Sequence, residues 1–215
     1  MLNFLKNMNK KHRQWPKLSL EEIKKRARIL VIDDDEFAYV ALFQKEHYSI
    51  DKWDDVQDLS KLEEGYYDLI LLDIQGVGQT LSEEQGFGVL KHLRAVSPSL
   101  IIIAYSNADY SLKYQEFFDL ADSKLAKTAD FVDFKRTVDD YLKKRFSFGF
   151  YFDRICEIAQ LKSEERLQLR ENIEECILND KTDQLKVILQ AHHVNRENVQ
   201  LALSVAQVAV GIAAI

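Results

Sequence analysis

Tyr67-Asp68-Leu69-Ile70-Leu71-Leu72-Asp73 is a short apolar run that stops on a carboxylate. Gly65 lies before it, and Gly76 and Gly78 lie after it. A run this short between turn residues reads as a buried strand of a parallel sheet. Side chains just past the carboxyl end of such a strand face the crevice in which open α/β sheets bind ligands. Three further runs end in the same manner. Residues 29–32 lead into Asp33-Asp34-Asp35, residues 100–105 into Ser106, and residues 123–126 into Lys127. Four strands thus deliver carboxylates, a hydroxyl and an ammonium to one edge.

The segments between these runs have helical character. Ser19, with Glu22 three residues on, makes a capping box for a short helix ending near Arg26. Phe37, Val40, Ala41 and Phe43 follow helical spacing within 36–47, and 48–53 alternates weakly as a second strand. A short helix over 56–63 is stopped by Gly65. A loop over 74–85 precedes a helix over 86–96, which Pro98 ends. A helix over 112–120 and an amphipathic helix over 129–146 complete the pattern, the latter burying Phe131, Phe134, Val138, Tyr141 and Leu142. The order predicts an α/β fold, a doubly wound five-stranded parallel sheet with helices on both faces. An aromatic joint at 146–150 then leads to residues 151–215, which contain no Pro and only Gly211. They read as an all-α C-terminal region with breaks near 179–182 and 194–195. The expected division is a basic extension over 1–27, the α/β domain over 28–146, and a helical output or oligomerisation region over 147–215.

Composition narrows the function. The chain has 215 residues, is 47% apolar and carries a net charge of −6. Residues 1–28 hold nine Lys/Arg against two Glu, so the remainder is strongly acidic. That balance argues against a nucleic-acid binder. Cys156 and Cys176 fit neither a disulfide framework nor a zinc pattern, and read as reduced thiols of a cytoplasmic protein. The basic, partly apolar residues 1–18 read as a frayed extension, with a surface-bound amphipathic helix as the alternative. His192-His193 lacks metal-ligand spacing and reads as a helix-end pair.

Carboxylates gathered at Asp33, Asp34 and Asp73 repel one another and call for a cation. Hard oxygen ligands with room for water suit Mg2+. Beside such a cation Asp73 stays ionised and can attack phosphorus. The transferred phosphoryl oxygens would then be neutralised by Mg2+, by the Lys127 ammonium and by a hydrogen bond from Ser106. Singly, each position has an ordinary structural explanation: Asp35 or Ser106 as a helix cap, Lys127 as a solvated charge. Together, on the strands that the topology brings side by side, they read as one site.

These residues resemble the receiver domain of two-component response regulators. Ile29-Leu30-Val31-Ile32-Asp33-Asp34-Asp35 is similar to that family's first strand and acidic pair, and Leu69-Ile70-Leu71-Leu72-Asp73-Ile74 to its phosphoacceptor strand. Ser106 falls on its Ser/Thr position, and Leu125-Ala126-Lys127 on its lysine. The resemblance spans about residues 28–145. It implies a flavodoxin-like receiver fold in a signalling protein that is not an enzyme, beyond self-phosphorylation from small donors and autodephosphorylation. Asp73 would accept phosphate from a histidine kinase or phosphotransfer protein. Asp33 or Asp34, Asp73 and the backbone carbonyl of Gln75 would hold Mg2+. The chain departs from the family pattern in several places. Asp73-Ile74-Gln75-Gly76-Val77-Gly78 lacks the usual Pro, the following loop is longer, Asn107 follows Ser106, and Thr128 follows Lys127. Lys124 stands where a switch aromatic normally lies in the fifth strand, so rotation of that ring is not available for relaying the signal.

No helix-turn-helix follows, and the C-terminal region is acidic. Residues 198–215 carry no charged side chain, with Gln200, Ser204, Gln207 and Gly211 forming one stripe. The helix is expected to pack in its own domain or on an unidentified protein partner with the stripe outward. Self-pairing into a homo-oligomer and contact with a membrane are the alternatives. The main expectation is a cytoplasmic phosphorelay response regulator that binds Mg2+ and signals by protein contact. A phosphorylation-independent adaptor is the runner-up. A metal-dependent phosphatase of similar topology ranks third, because Gln75 stands where such enzymes carry a second Asp.

Overall fold

The structure is a computed structural model in which residues 13–106, 116 and 118–215 are described. The chain divides into two compact units, Leu18–Arg154 and residues 13–17 with Ile155–Ile215.

The first unit runs α1 (Leu20–Arg26), β1 (Arg28–Ile32), α2 (Val40–Lys45), β2 (Ser49–Trp53), α3 (Leu59–Glu63), β3 (Leu69–Asp73), α4 (Gly86–Val96), β4 (Ile101–Ser106), β5 (Ser123–Ala126) and α5 (Phe131–Arg145). The five strands form one sheet in the order β2-β1-β3-β4-β5. Every neighbouring pair is parallel. The doubly wound α/β class read from the sequence is therefore the observed one.

Strand alternation divides the core in two. Leu30, Ile32, Ile70, Leu72, Ile102 and Ala104 pack with Leu62 of α3 and with Val89, Leu90 and Leu93 of α4. The alternate residues Ile29, Val31, Leu69, Leu71, Ile101 and Ile103 are fully shielded as well. Their side of the sheet carries Ile23 of α1, Phe43 of α2, and Phe134, Val138 and Leu142 of α5. Each such aliphatic side chain contributes about 1.5–3 kcal/mol by leaving water.

Local signals place several boundaries. Ser19 caps α1 through the reciprocal bonds with Glu22. The side chain of Asp130 caps α5 by accepting from the Asp133 N–H at 2.9 Å. Two helices start later than their periodicity suggests. α2 begins at Val40 rather than near 36, because the Asp33 carboxylate accepts the Asp35 N–H at 2.9 Å and holds 33–35 in a turn. Phe37 is buried in that connection, its ring 5.3 Å from Phe134. α3 begins at Leu59 because Asp58 caps it. The expected helix over 112–120 lies mostly outside the described residues; Glu116 and 118–120 are helical. The basic stretch 1–12 and Asn107 also lie outside them.

The aromatic joint leads directly into a helix, α6 (Phe148–Ile158). The Ser147 hydroxyl accepts the Phe150 N–H at 3.4 Å, and the Phe148 and Phe152 rings meet at 5.7 Å. α7 (Ser163–Leu178), α8 (Thr182–Ala191) and α9 (Arg196–Ala213) follow. The breaks between them fall at the two expected places, and a further break at 159–162 separates α6 from α7. All three helix ends share one device. Gln160, Asp180 and His193 adopt positive φ. Just beyond them the N–H groups of Leu161, Lys181 and Val194 reach back to the carbonyls of Cys156, Cys176 and Leu189.

In the second unit α9 packs with α7 and α8. It buries Val199, Ala202, Val205, Ala206, Ala209 and Ile212. Gln200, Ser204, Gln207 and Gly211 are exposed, so the stripe faces outward. No helix among the described residues is long and apolar enough to cross a membrane. Cys156 and Cys176 are free and buried. His192 ends α8, and its Nδ1 lies 3.1 Å from Glu165.

Candidate functional site

The site lies where β1, β3, β4 and β5 end. Alternation places Asp33, Asp73, Tyr105 and Lys127 on the α5 side of the sheet, opposite the face that packs on α3 and α4. Asp73 pairs in register with Tyr105 on the neighbouring strand. The expected residues meet here. Asp34, Asp73, Gln75, Ser106 and Lys127 line one cleft of about 170 Å3, together with Asp35 and Gly76. Asp33, bonded to Lys127, is 2% exposed, and Asp73 is equally buried. Ser106 is buried, while Asp34 and Asp35 are open to solvent.

Lys127 is the electrostatic hub. Its Nζ lies 2.7 Å from Asp73 Oδ2, 2.9 Å from Asp33 Oδ1 and 3.4 Å from Asp35 Oδ2. Partial burial alone would lower its pKa, but the hydrogen bonds to Asp73 and Asp33 outweigh that and hold the ammonium above its ordinary range. Burial pushes the Asp73 carboxyl up, against the opposing pull of Lys127 and of the Ile74 N–H, which donates to Oδ1 at 2.7 Å. Lys127 and Asp73 face each other as an ion pair.

The loop after β3 is held rather than free. The Gly76 N–H donates to Gln85 Oε1 at 3.0 Å, and the Gly78 N–H donates to Asp55. Gly76 has φ +79, and a Cβ there would lie 2.1 Å from the Asp34 carboxylate. Only glycine lets Asp34 close over this turn. Gly86 has a related role, since a Cβ would lie 2.1 Å from the Asp73 carbonyl oxygen. The start of α4 can therefore press against the end of β3.

One oxygen each of Asp33, Asp34 and Asp73 lie within 4.8 Å of one another. Three carboxylates so close, with Gln75 on the lining of the same cleft and an open mouth, are a fitting donor set for a hard, partly hydrated divalent cation such as Mg2+. Lys127 supplies only part of the balancing charge.

Tyr105 escapes a reading based on strand ends alone, because it is the last apolar residue of its run. Its hydroxyl donates to Asp33 Oδ2 at 2.5 Å. Burial and that bond drive its pKa far above the ordinary phenol value. No signal in the sequence marks it, since its place follows from pairing with Asp73 on the neighbouring strand. Lys124 is exposed on β5, its Nζ 5.8 Å from the Phe118 ring.

No family model and no curated relative matches the chain. Solved structures do. A response regulator receiver domain protein (CheY-like) from Methanospirillum hungatei JF-1 is 23% identical, covering 55% of this chain and 95% of its own, with a TM-score of 0.46. A two-component response regulator from Clostridium difficile is 22% identical over 57% of this chain and 100% of its own, at 0.48. The response regulator TrrA from Thermotoga maritima, solved with Mg(2+)-BeF, is 28% identical over 54% of this chain and 98% of its own, at 0.43. Over little more than half its length, the chain is similar to response regulator receiver domains.

Proposed function

We propose that the chain is a phosphorelay response regulator whose phosphoacceptor is Asp73. The observation that carries this reading is the buried Asp73 carboxylate paired at 2.7 Å with Lys127 inside a cleft that Ser106 also lines. In the transfer, Asp73 attacks the phosphorus of a phosphohistidine on a histidine kinase or phosphotransfer protein. A P–O bond forms and the P–N bond breaks. The imidazole leaves with the electron pair and takes up a proton. Lys127 neutralises one phosphoryl oxygen and the Ser106 hydroxyl donates to another. Asp34, Asp73 and the Gln75 carbonyl, with Asp33 behind them, would hold Mg2+. When bound, that ion supplies charge neutralisation to the transferring group. The TrrA structure with Mg(2+)-BeF supports the analogy of ligand class. The helical second unit serves as the output, acting by contact with a protein partner or a second copy, and the protein works in the cytoplasm.

A second reading has one observation in its favour. Lys127, Asp33, Asp73 and Tyr105 already form a closed set of bonds. A self-satisfied site suits a phosphorylation-independent adaptor.

Incubation with acetyl phosphate and Mg2+, followed by phosphate-affinity electrophoresis, separates the two. The expected result is a retarded, hydroxylamine-labile band in wild type that Asp73→Ala lacks. No retarded band, together with no beryllofluoride binding, would leave the adaptor reading in its place.

A further inference from the structure

We infer that Tyr105 is a positioning residue that withholds Asp33 from the cation, so that its hydroxyl sets the metal affinity of the acidic site. This rests on the Mg2+ part of the proposed function.

Both oxygens of Asp33 are engaged. Oδ1 accepts from Lys127 Nζ and from the Asp35 N–H, each at 2.9 Å. Oδ2 accepts from the Tyr105 hydroxyl at 2.5 Å. A hydrogen bond to a carboxylate at that distance is short and charge-assisted. It draws negative charge away from the oxygen that a cation would otherwise use.

The tyrosine is also held in place. Its side chain is 1% exposed. Its ring makes edge contacts with Phe37 at 5.8 Å and with Phe134 at 5.9 Å between centroids. Lys127 Nζ stands 5.7 Å from the ring centroid. Asp33 in turn is tied to β2, its N–H donating to the Trp53 carbonyl at 3.1 Å. The hydroxyl therefore cannot swing away to make room for an ion without moving the aromatic core beneath α5. A cation entering the cleft meets exposed Asp34 and, on the lining, Asp73, whose oxygens are bonded to Lys127 and the Ile74 N–H. Asp33 offers it only oxygens already shared with Tyr105 or Lys127.

Tyr105→Phe removes the hydroxyl and leaves the ring contacts. Calorimetric titration of the full chain with Mg2+, beside thermal unfolding with and without saturating Mg2+, compares wild type, Tyr105→Phe and Tyr105→Leu. Near-UV circular dichroism checks that each variant is folded. Expected is Mg2+ binding about fivefold tighter in both variants, since a charge-assisted bond no longer competes. A larger upward shift of Tm by Mg2+ in the variants should accompany it. If the Phe variant binds as wild type does, the hydroxyl is only structural and the inference fails, while the phosphoacceptor reading stands. Weaker binding in the Phe variant overturns the inference in the opposite sense, because the hydroxyl would then be orienting Asp33 for the ion. If no form takes up Mg2+, the inference fails along with the metal part of the proposed function.

Discussion

Lys127 faces two buried carboxylates, and its removal exposes their mutual repulsion. Lys127→Met should lower stability by about 2 kcal/mol, a discounted value because the lysine borders the open cleft. Adding Asp73→Asn should recover part of that loss, since one of the two carboxylates is then neutral. Urea unfolding of the single and double variants measures the coupling. Asp73 also leaves a signature in pH. Burial raises its carboxyl above the ordinary value of 3.8, so proton uptake favours the folded chain. That contribution is fully present below the ordinary value and is lost as pH rises through the folded value. Asp73→Asn has no such component. Wild-type stability should therefore fall relative to Asp73→Asn as pH climbs from 3.8, and parallel urea curves at stepped pH would refute this if the difference stayed constant.

At the scale of elements, the agreement and the misses have separate causes. β3, α4 and β5 lie where short apolar runs, Gly86, Pro98 and the step into Lys127 place them. These signals are local, so a linear reading captures them. α2 starts late because a side chain of its own connection, Asp33, bonds the backbone two residues on, and because Phe37 is recruited to an aromatic core from outside any helix. The turn at 159–162 carries no Gly or Pro to announce it, since Gln160 adopts φ 54 in its stead. The left-handed region strains a residue with a Cβ. Gln160→Gly should stabilise the helical unit by about 0.5–1 kcal/mol, the relief of strain being partly offset by the freer unfolded chain. A higher denaturation midpoint with an unchanged slope is the expected reading.

For the whole molecule, the thiols offer a direct probe. Cys156 and Cys176 both belong to the Ile155–Ile215 unit and both are buried, and burial pushes the Cys176 thiol up as well. Protonated, shielded thiols react slowly. An aromatic disulfide reagent should label neither in the native protein and both after denaturation. Rapid native labelling would show that the helical unit opens far more readily than its packed α7, α8 and α9 imply.

The order of elements, the parallel doubly wound class, the all-helical second half and five of the cleft residues were legible in the amino-acid sequence. Apart from Gln75, which only the resemblance to receiver domains implied, each follows from local periodicity or from the chemistry at a strand end, both of which act over a few residues. The sequence also offered the outward stripe of α9 as one of three alternatives. Tertiary structure alone decided the rest. It buried Asp33 with both oxygens engaged, and it brought Tyr105 of β4 onto Asp33 across the intervening β3. Those outcomes depend on register between strands far apart in the chain, which no local pattern encodes.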